Sequence, residues 1–127
     1  MYNQPINRNE VILLNIFRYE TCGGKDLILN YVDNLPARER AMYYWIQEKL
    51  QVDGVKAFEV LNTRQLKKKI WEIKFSKNRL MYVLEDSNNM YILHACKKQK
   101  GKAEKFELEK AIERAKELGE ELDKNFV

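Results

Sequence analysis

The residues of this chain whose types suit chemistry gather in its second half. Lys67, Lys68 and Lys69 run together; Lys74, Arg79 and Tyr82 follow; His94 ends an apolar run, with Lys97, Lys98 and Lys100 just beyond it. Residues 64–105 hold 12 basic side chains against 4 acidic ones, a local balance of +8 in a chain of formal net charge +4. Cations concentrated in this way, brought side by side by antiparallel pairing, make an anion-binding face. Tyr82 and Tyr91 add planes on which bases can stack.

Each feature also has a plainer explanation. A Lys-Lys-Lys run suits the solvated entry to a strand, and the Lys97–Lys100 stretch suits a polar loop that protects a sheet edge. A tyrosine on a strand fits a core position, and a histidine after Ile92-Leu93 fits a hydrogen-bonded interior group. Several familiar chemistries are excluded. There is no glycine-rich phosphate loop with Lys-Ser/Thr, no nucleophile elbow and no His-Glu-x-x-His. A single histidine rules out a multi-histidine zinc centre within the chain. Cys22 and Cys96 share no motif spacing, which suggests a reduced, intracellular setting. No metal and no cofactor is expected.

The elements that must position these residues can be read from periodicity. With 127 residues, 45% hydrophobic and 33% charged, the chain has the composition of one folded domain spanning 1–127. Residues 1–10 read as a loose end and 11–19 as a buried strand. Gly23-Gly24 breaks the chain, and Asp26 sits where it favours the start of a helix over 26–35. Pro36 opens a second helix, with Met42, Trp45, Ile46 and Leu50 on one face and Asp53-Gly54 at its end. The two helices should pack as a hairpin. Residues 55–66 give no clear pattern. Three β-patterned runs follow at 70–76, 80–85 and 90–97, joined by short polar turns and forming an antiparallel meander. In the first, Trp71, Ile73 and Phe75 share one face and Glu72 and Lys74 the other. Residues 104–124 carry the apolar stripe of a last helix. The expected class is α+β, a small antiparallel sheet with a C-terminal helix. No run is long enough to span a membrane, and residues 11–17 lack the flanks of a signal peptide, so a cytoplasmic protein is expected.

Four pieces in order carry a family likeness: 66–75 (Leu-Lys-Lys-Lys-Ile-Trp-Glu-Ile-Lys-Phe), 79–84, 91–99 (Tyr-Ile-Leu-His-Ala-Cys-Lys-Lys-Gln) and the Glu/Lys-rich helix after them. Together they resemble the RelE/HigB toxins of bacterial type II toxin–antitoxin systems within the RelE/ParE superfamily, and among these the phage-derived HigB-like branch. The chain departs from the usual pattern at three places: Lys74 where arginine is common, Cys96 where an aromatic residue is common, and Gly101-Lys102-Ala103 in place of a Thr-Pro turn. Lysine cannot supply arginine's bidentate fork to a phosphate.

The resemblance implies a metal-independent endoribonuclease that cuts mRNA, commonly on the ribosome, and a cognate antitoxin that covers the basic face. RNA cleavage without metal uses the 2′-hydroxyl as nucleophile, so proton transfer and stabilisation of charge on phosphorus are what the protein supplies. On that reading Lys74, Arg79, Lys97 and Lys98 stabilise charge. His94, whose unperturbed pKa lies near neutrality, is the first candidate for general acid or base, and Tyr82 the second. Lys67, Lys68, Lys69 and Lys100 belong to the RNA surface. Two other readings share the fold or the face: a ParE-like toxin that binds and inhibits DNA gyrase, and a non-catalytic RNA-binding module.

Overall fold

The computed structural model describes residues 2–3 and 11–127. Of the stretch expected to be a loose end, Tyr2–Asn3 forms a short strand, β1, and residues 1 and 4–10 lie outside the described residues. The elements continue as β2 (Asn15–Tyr19), α1 (Leu27–Asp33), α2 (Ala37–Asp53), a 3₁₀ turn (Gly54–Glu59), β3 (Thr63–Lys67), β4 (Ile70–Phe75), β5 (Asn78–Leu84), β6 (Asn89–Lys97) and α3 (Lys102–Leu122). The strands form one sheet in the order β1-β2-β6-β5-β4-β3.

The α+β expectation holds. The meander β4–β5–β6 is antiparallel as expected, but β2 joins β6 in parallel, so the sheet is mixed. The stretch 55–66, which had no clear pattern, supplies the 3₁₀ turn and the edge strand β3. Its Thr-Arg-Gln-Leu-Lys sequence is polar because the strand is largely exposed. Lys67 pairs with Ile70, so Lys68 and Lys69 form the two-residue loop of a hairpin, with Lys68 at φ +53°. The next loop is Ser76-Lys77, and Asn78 after it is a buried strand residue opposite Phe75.

Two apolar layers flank the sheet. On one side Leu14, Ile16, Ile73, Leu80, Tyr82 and Ile92 meet α1 and α2; on the other Ile70, Met81, Val83 and Leu93 meet Ala111, Ala115 and Leu118 of α3. Burying side chains of this size contributes about 1.5–3 kcal/mol each. In α2 the buried stripe is Tyr43, Ile46 and Leu50, whereas Trp45, expected in the core, is 56% exposed. One residue round a helix turns a side chain by about 100°, enough to carry Trp45 off the face that the sheet covers. Glu72 also departs from expectation. It shares the face opposite Trp71, yet it is wholly buried, because α3 covers that face as fully as α1 and α2 cover the other.

Helix α1 has only seven residues, too few to hold by itself. Asp26 caps it, its Oδ1 accepting from the Leu29 amide at 2.9 Å. The other oxygen, Oδ2, accepts from Arg18 Nε at 2.8 Å, tying the helix start to β2. Among the described residues no helix is long and apolar enough to cross a membrane.

Asp26 thus does two jobs that substitutions separate. Asp26→Ala should cost about 3 kcal/mol, from the lost cap and the stranded charge of buried Arg18. Asp26→Asn, which keeps a capping oxygen, should cost less by about 1 kcal/mol. Urea denaturation of the two variants reads the difference.

Candidate active site

The site is made where β2 leaves the sheet. Its pairing with β6 ends at Arg18 opposite Ile92, while β6 runs on to Lys97. At the same level β6 carries a bulge: Met81 pairs with His94 and Tyr82 with Ile92, leaving Leu93 as the extra residue. Helix α1 lies along the end of β6 on one side and α3 on the other. Between them is a groove of about 440 Å³. Its α1 wall carries Asn30, Tyr31 and Asn34, its floor His94 and Ala95, and its cationic rim Lys97, Lys110 and Arg114.

His94 is 8% exposed and held from both sides by α3. Nη1 of Arg114 lies 3.2 Å from Nδ1 and also donates to the Leu93 carbonyl at 2.8 Å. Arginine can only donate, so Nδ1 is the acceptor and the neutral ring carries its proton on Nε2. That proton points to Glu107, whose Oε2 is in hydrogen-bond contact with Nε2. Burial holds the imidazole below its ordinary value of 6.5; Glu107 pulls it upward, and Arg114 and Lys110 add to the lowering. His94 is therefore an oriented, neutral base at pH 7, backed by a carboxylate.

A second cluster lies under the start of α3. Glu72 of β4, wholly buried, has Arg64 at 2.9 Å, Arg79 at 3.5 Å and Lys74 at 3.6 Å. Glu104 of α3 meets both Arg64 and Arg79 at 3.5 Å. Arg79, with its side chain 4% exposed, is enclosed by these carboxylates. Lys74 and Arg79 face each other across β4 and β5, on the face that α3 covers. Cys96 lies beside Arg79 on β6, and burial first, then Glu107, pushes its thiol up to about 12.

The other sequence candidates stand apart. Tyr82 is on the opposite face, stacked on Phe58 with ring centres 5.3 Å apart, and burial raises its phenol above the usual value. It lines a separate groove of about 430 Å³ with Trp71, Lys68 and Lys69. Lys97 reaches the groove of His94, where Nζ donates to Asn78 Oδ1 at 3.0 Å and lies 3.7 Å from Glu39. Asn78 also accepts from the Tyr31 hydroxyl and donates to Glu39, both at 2.6 Å. Lys67, Lys98 and Lys100 are exposed.

His94, Cys96 and Glu107 place three donor atoms within 4.8 Å of one another, which is metal-ligand spacing. The protonation pattern does not fit a metal. For Nε2 to bind an ion, Nδ1 would have to carry the proton, and there it would face the donor Arg114. The cluster is better read as a hydrogen-bonded base.

Sequence reasoning missed Arg64, Glu72, Glu107, Lys110 and Arg114. The last three did leave a signal, since 107, 110 and 114 lie along one helix line beside the stripe 108, 111, 115. Residues 30–116 match the family model described as "Phage derived protein Gp49-like (DUF891)", a span from α1 into α3 that contains both clusters and all of the groove's lining except Leu27 and Ile28. No curated protein matches the chain.

Two solution measurements follow. The folded pKa of His94 lies below its unfolded one, so its contribution to stability is complete above about pH 6.5 and is lost as pH falls through the folded value. Urea midpoints should drop between pH 7 and 5, and His94→Gln should flatten that drop. A thiol reagent should modify exposed Cys22 in the native protein and reach buried Cys96 only in denaturant.

Proposed function

The chain belongs to the Gp49-like phage-derived protein family, toxin-like proteins related to RelE, and on that premise we propose that it is a HigB-branch toxin: a metal-independent endoribonuclease that cuts mRNA during translation. The observation that carries the reading is His94, a neutral imidazole fixed by Glu107 on the floor of a groove rimmed by Lys97, Lys110 and Arg114.

The chemistry follows from what those groups can do. The 2′-hydroxyl oxygen attacks the adjacent phosphorus, the bond to the next nucleotide's 5′ oxygen breaks, and a 2′,3′-cyclic phosphate and a 5′-hydroxyl remain. One proton leaves the 2′-hydroxyl and one reaches the departing oxygen. In the resting arrangement Arg114 occupies Nδ1 of His94. A substrate phosphate in the groove draws the guanidinium to itself, since a charged acceptor outcompetes a neutral ring nitrogen. Nδ1 is then open to take the 2′-hydroxyl proton, while Glu107 holds Nε2–H and stabilises the imidazolium that forms. Arg114, Lys97 and Lys110 stabilise the extra charge on phosphorus, and the ammonium groups give the leaving oxygen a proton donor.

Arg79 and Lys74 act from behind. Bound to Glu72 and, for Arg79, to Glu104, they fix the start of α3 and so the place of Glu107. Tyr82 with Lys68 and Lys69 in the separate groove, and the exposed Lys67, Lys98 and Lys100, extend the surface that an RNA strand contacts. A toxin-like family points to an antitoxin partner, and one that covers the groove between α1 and α3 would silence the enzyme.

Brief induction in a bacterial host, with 5′ ends mapped across translated mRNAs, tests this. Wild type should produce new cuts inside coding regions. His94→Ala should lower cutting by about 100-fold or more, the usual cost of losing a general base. Arrested growth with intact mRNA would overturn the nuclease reading in favour of a gyrase-type target, and binding to RNA without cuts would leave a binding module.

A further inference from the structure

The two walls of the catalytic groove differ in kind. The α3 side and the end of β6 supply charge through Lys97, Lys110 and Arg114; the α1 side supplies neutral amides, Asn30 and Asn34, above the apolar side chains of Leu27 and Leu35. An amide N–H can donate to phosphate, but the amide oxygen beside it is an acceptor that a phosphate does not use. Carboxamides present a donor and an acceptor side by side, which is how proteins read the edge of a base.

The amides are set for that use. Asn34 donates through Nδ2 to the Asn30 carbonyl at 2.7 Å, which fixes the plane of its amide and leaves Oδ1 and a second N–H. The Asn30 side chain has no hydrogen-bond partner among the described residues, and the residue is exposed. Tyr31 between them is committed, its hydroxyl donating to Asn78. Helix α1 cannot drift, because Asp26 caps it and binds Arg18. The groove, at about 440 Å³, lies in the range of about 300–1,000 Å³ that encloses small ligands.

We propose that the α1 wall is the base-reading subsite of the groove: Asn30 and Asn34 hydrogen-bond the edge of an unstacked RNA base whose phosphate rests on Lys97, Lys110 and Arg114. The ligand class is a single ribonucleotide unit within an RNA strand. This rests on the reading of the groove as the RNA site and adds the residues that choose where it cuts. Recognition of splayed-out bases along their edges is the usual route to sequence preference in single-stranded RNA.

The test uses binding alone. The four nucleoside 3′-monophosphates and inorganic phosphate are titrated separately into the 15N-labelled full chain, following the side-chain amide signals of Asn30 and Asn34. One nucleotide should bind about tenfold more tightly than the weakest, moving both amide signals. Asn30→Ala, at an exposed position that leaves the fold intact, should bring the four to within about twofold of one another. The proposal is overturned if inorganic phosphate reproduces every shift and the four nucleotides bind alike, or if none binds. Since no bond is cut, base selection in a protein that leaves mRNA intact would sink the nuclease reading and keep this one. Cleavage without base selection would do the reverse.

Discussion

Strand β6 carries two helices on one short stretch, and the site depends on how its neighbour leaves it. Because β2 pairs in parallel and stops at Ile92, the last residues of β6 keep β5 on one side and open the other to α1. The bulge at Leu93 shifts register at the same point, and the Leu93 carbonyl takes a hydrogen bond from Arg114. One change of pairing thus makes the opening and sets His94 at its floor. The Asp26–Arg18 pair then closes the far wall by joining α1 to the strand that has just departed.

The local excess of positive charge in the sequence does not become one continuous face. Strand alternation sends Lys74, Arg79 and His94 toward α3 and Tyr82 to the opposite side. On the α3 side, Glu72, Glu104 and Glu107 answer the cations at close range. Enclosing Glu72 is tolerable only because three cations surround it; a lone buried carboxylate would instead carry a large desolvation cost. At the groove rim, by contrast, Lys97 and Lys110 keep exposed heads.

The order of elements was legible because hydrophobic periodicity is local. Asp26 as a cap, Asp53-Gly54 as a stop and the β4–β5–β6 meander all follow from short stretches of sequence. What escaped depends on partners distant in the chain. β3 is polar because it is an edge, so alternation could not mark it. Trp45 looked like core because its spacing suits a helix face, but the sheet lies against Tyr43, Ile46 and Leu50. His94 was legible as a candidate from its type alone. Its partners Glu107 and Arg114 were not, because they read as surface charges on an amphipathic helix until α3 is laid across β6.

On the proposed mechanism His94 is a neutral, Nε2-protonated base whose Nδ1 is released when an anionic strand enters the groove. With one histidine in the chain, the 15N spectrum of the imidazole reads this without ambiguity, recorded through a pH titration with and without a 2′-O-methyl oligoribonucleotide that cannot be cut. The Nε2–H tautomer is expected at neutral pH, with protonation only below pH 6.5 and a change at Nδ1 on adding the oligonucleotide. An imidazole that exchanges freely between tautomers, titrates at its ordinary value and ignores the RNA would contradict that mechanism.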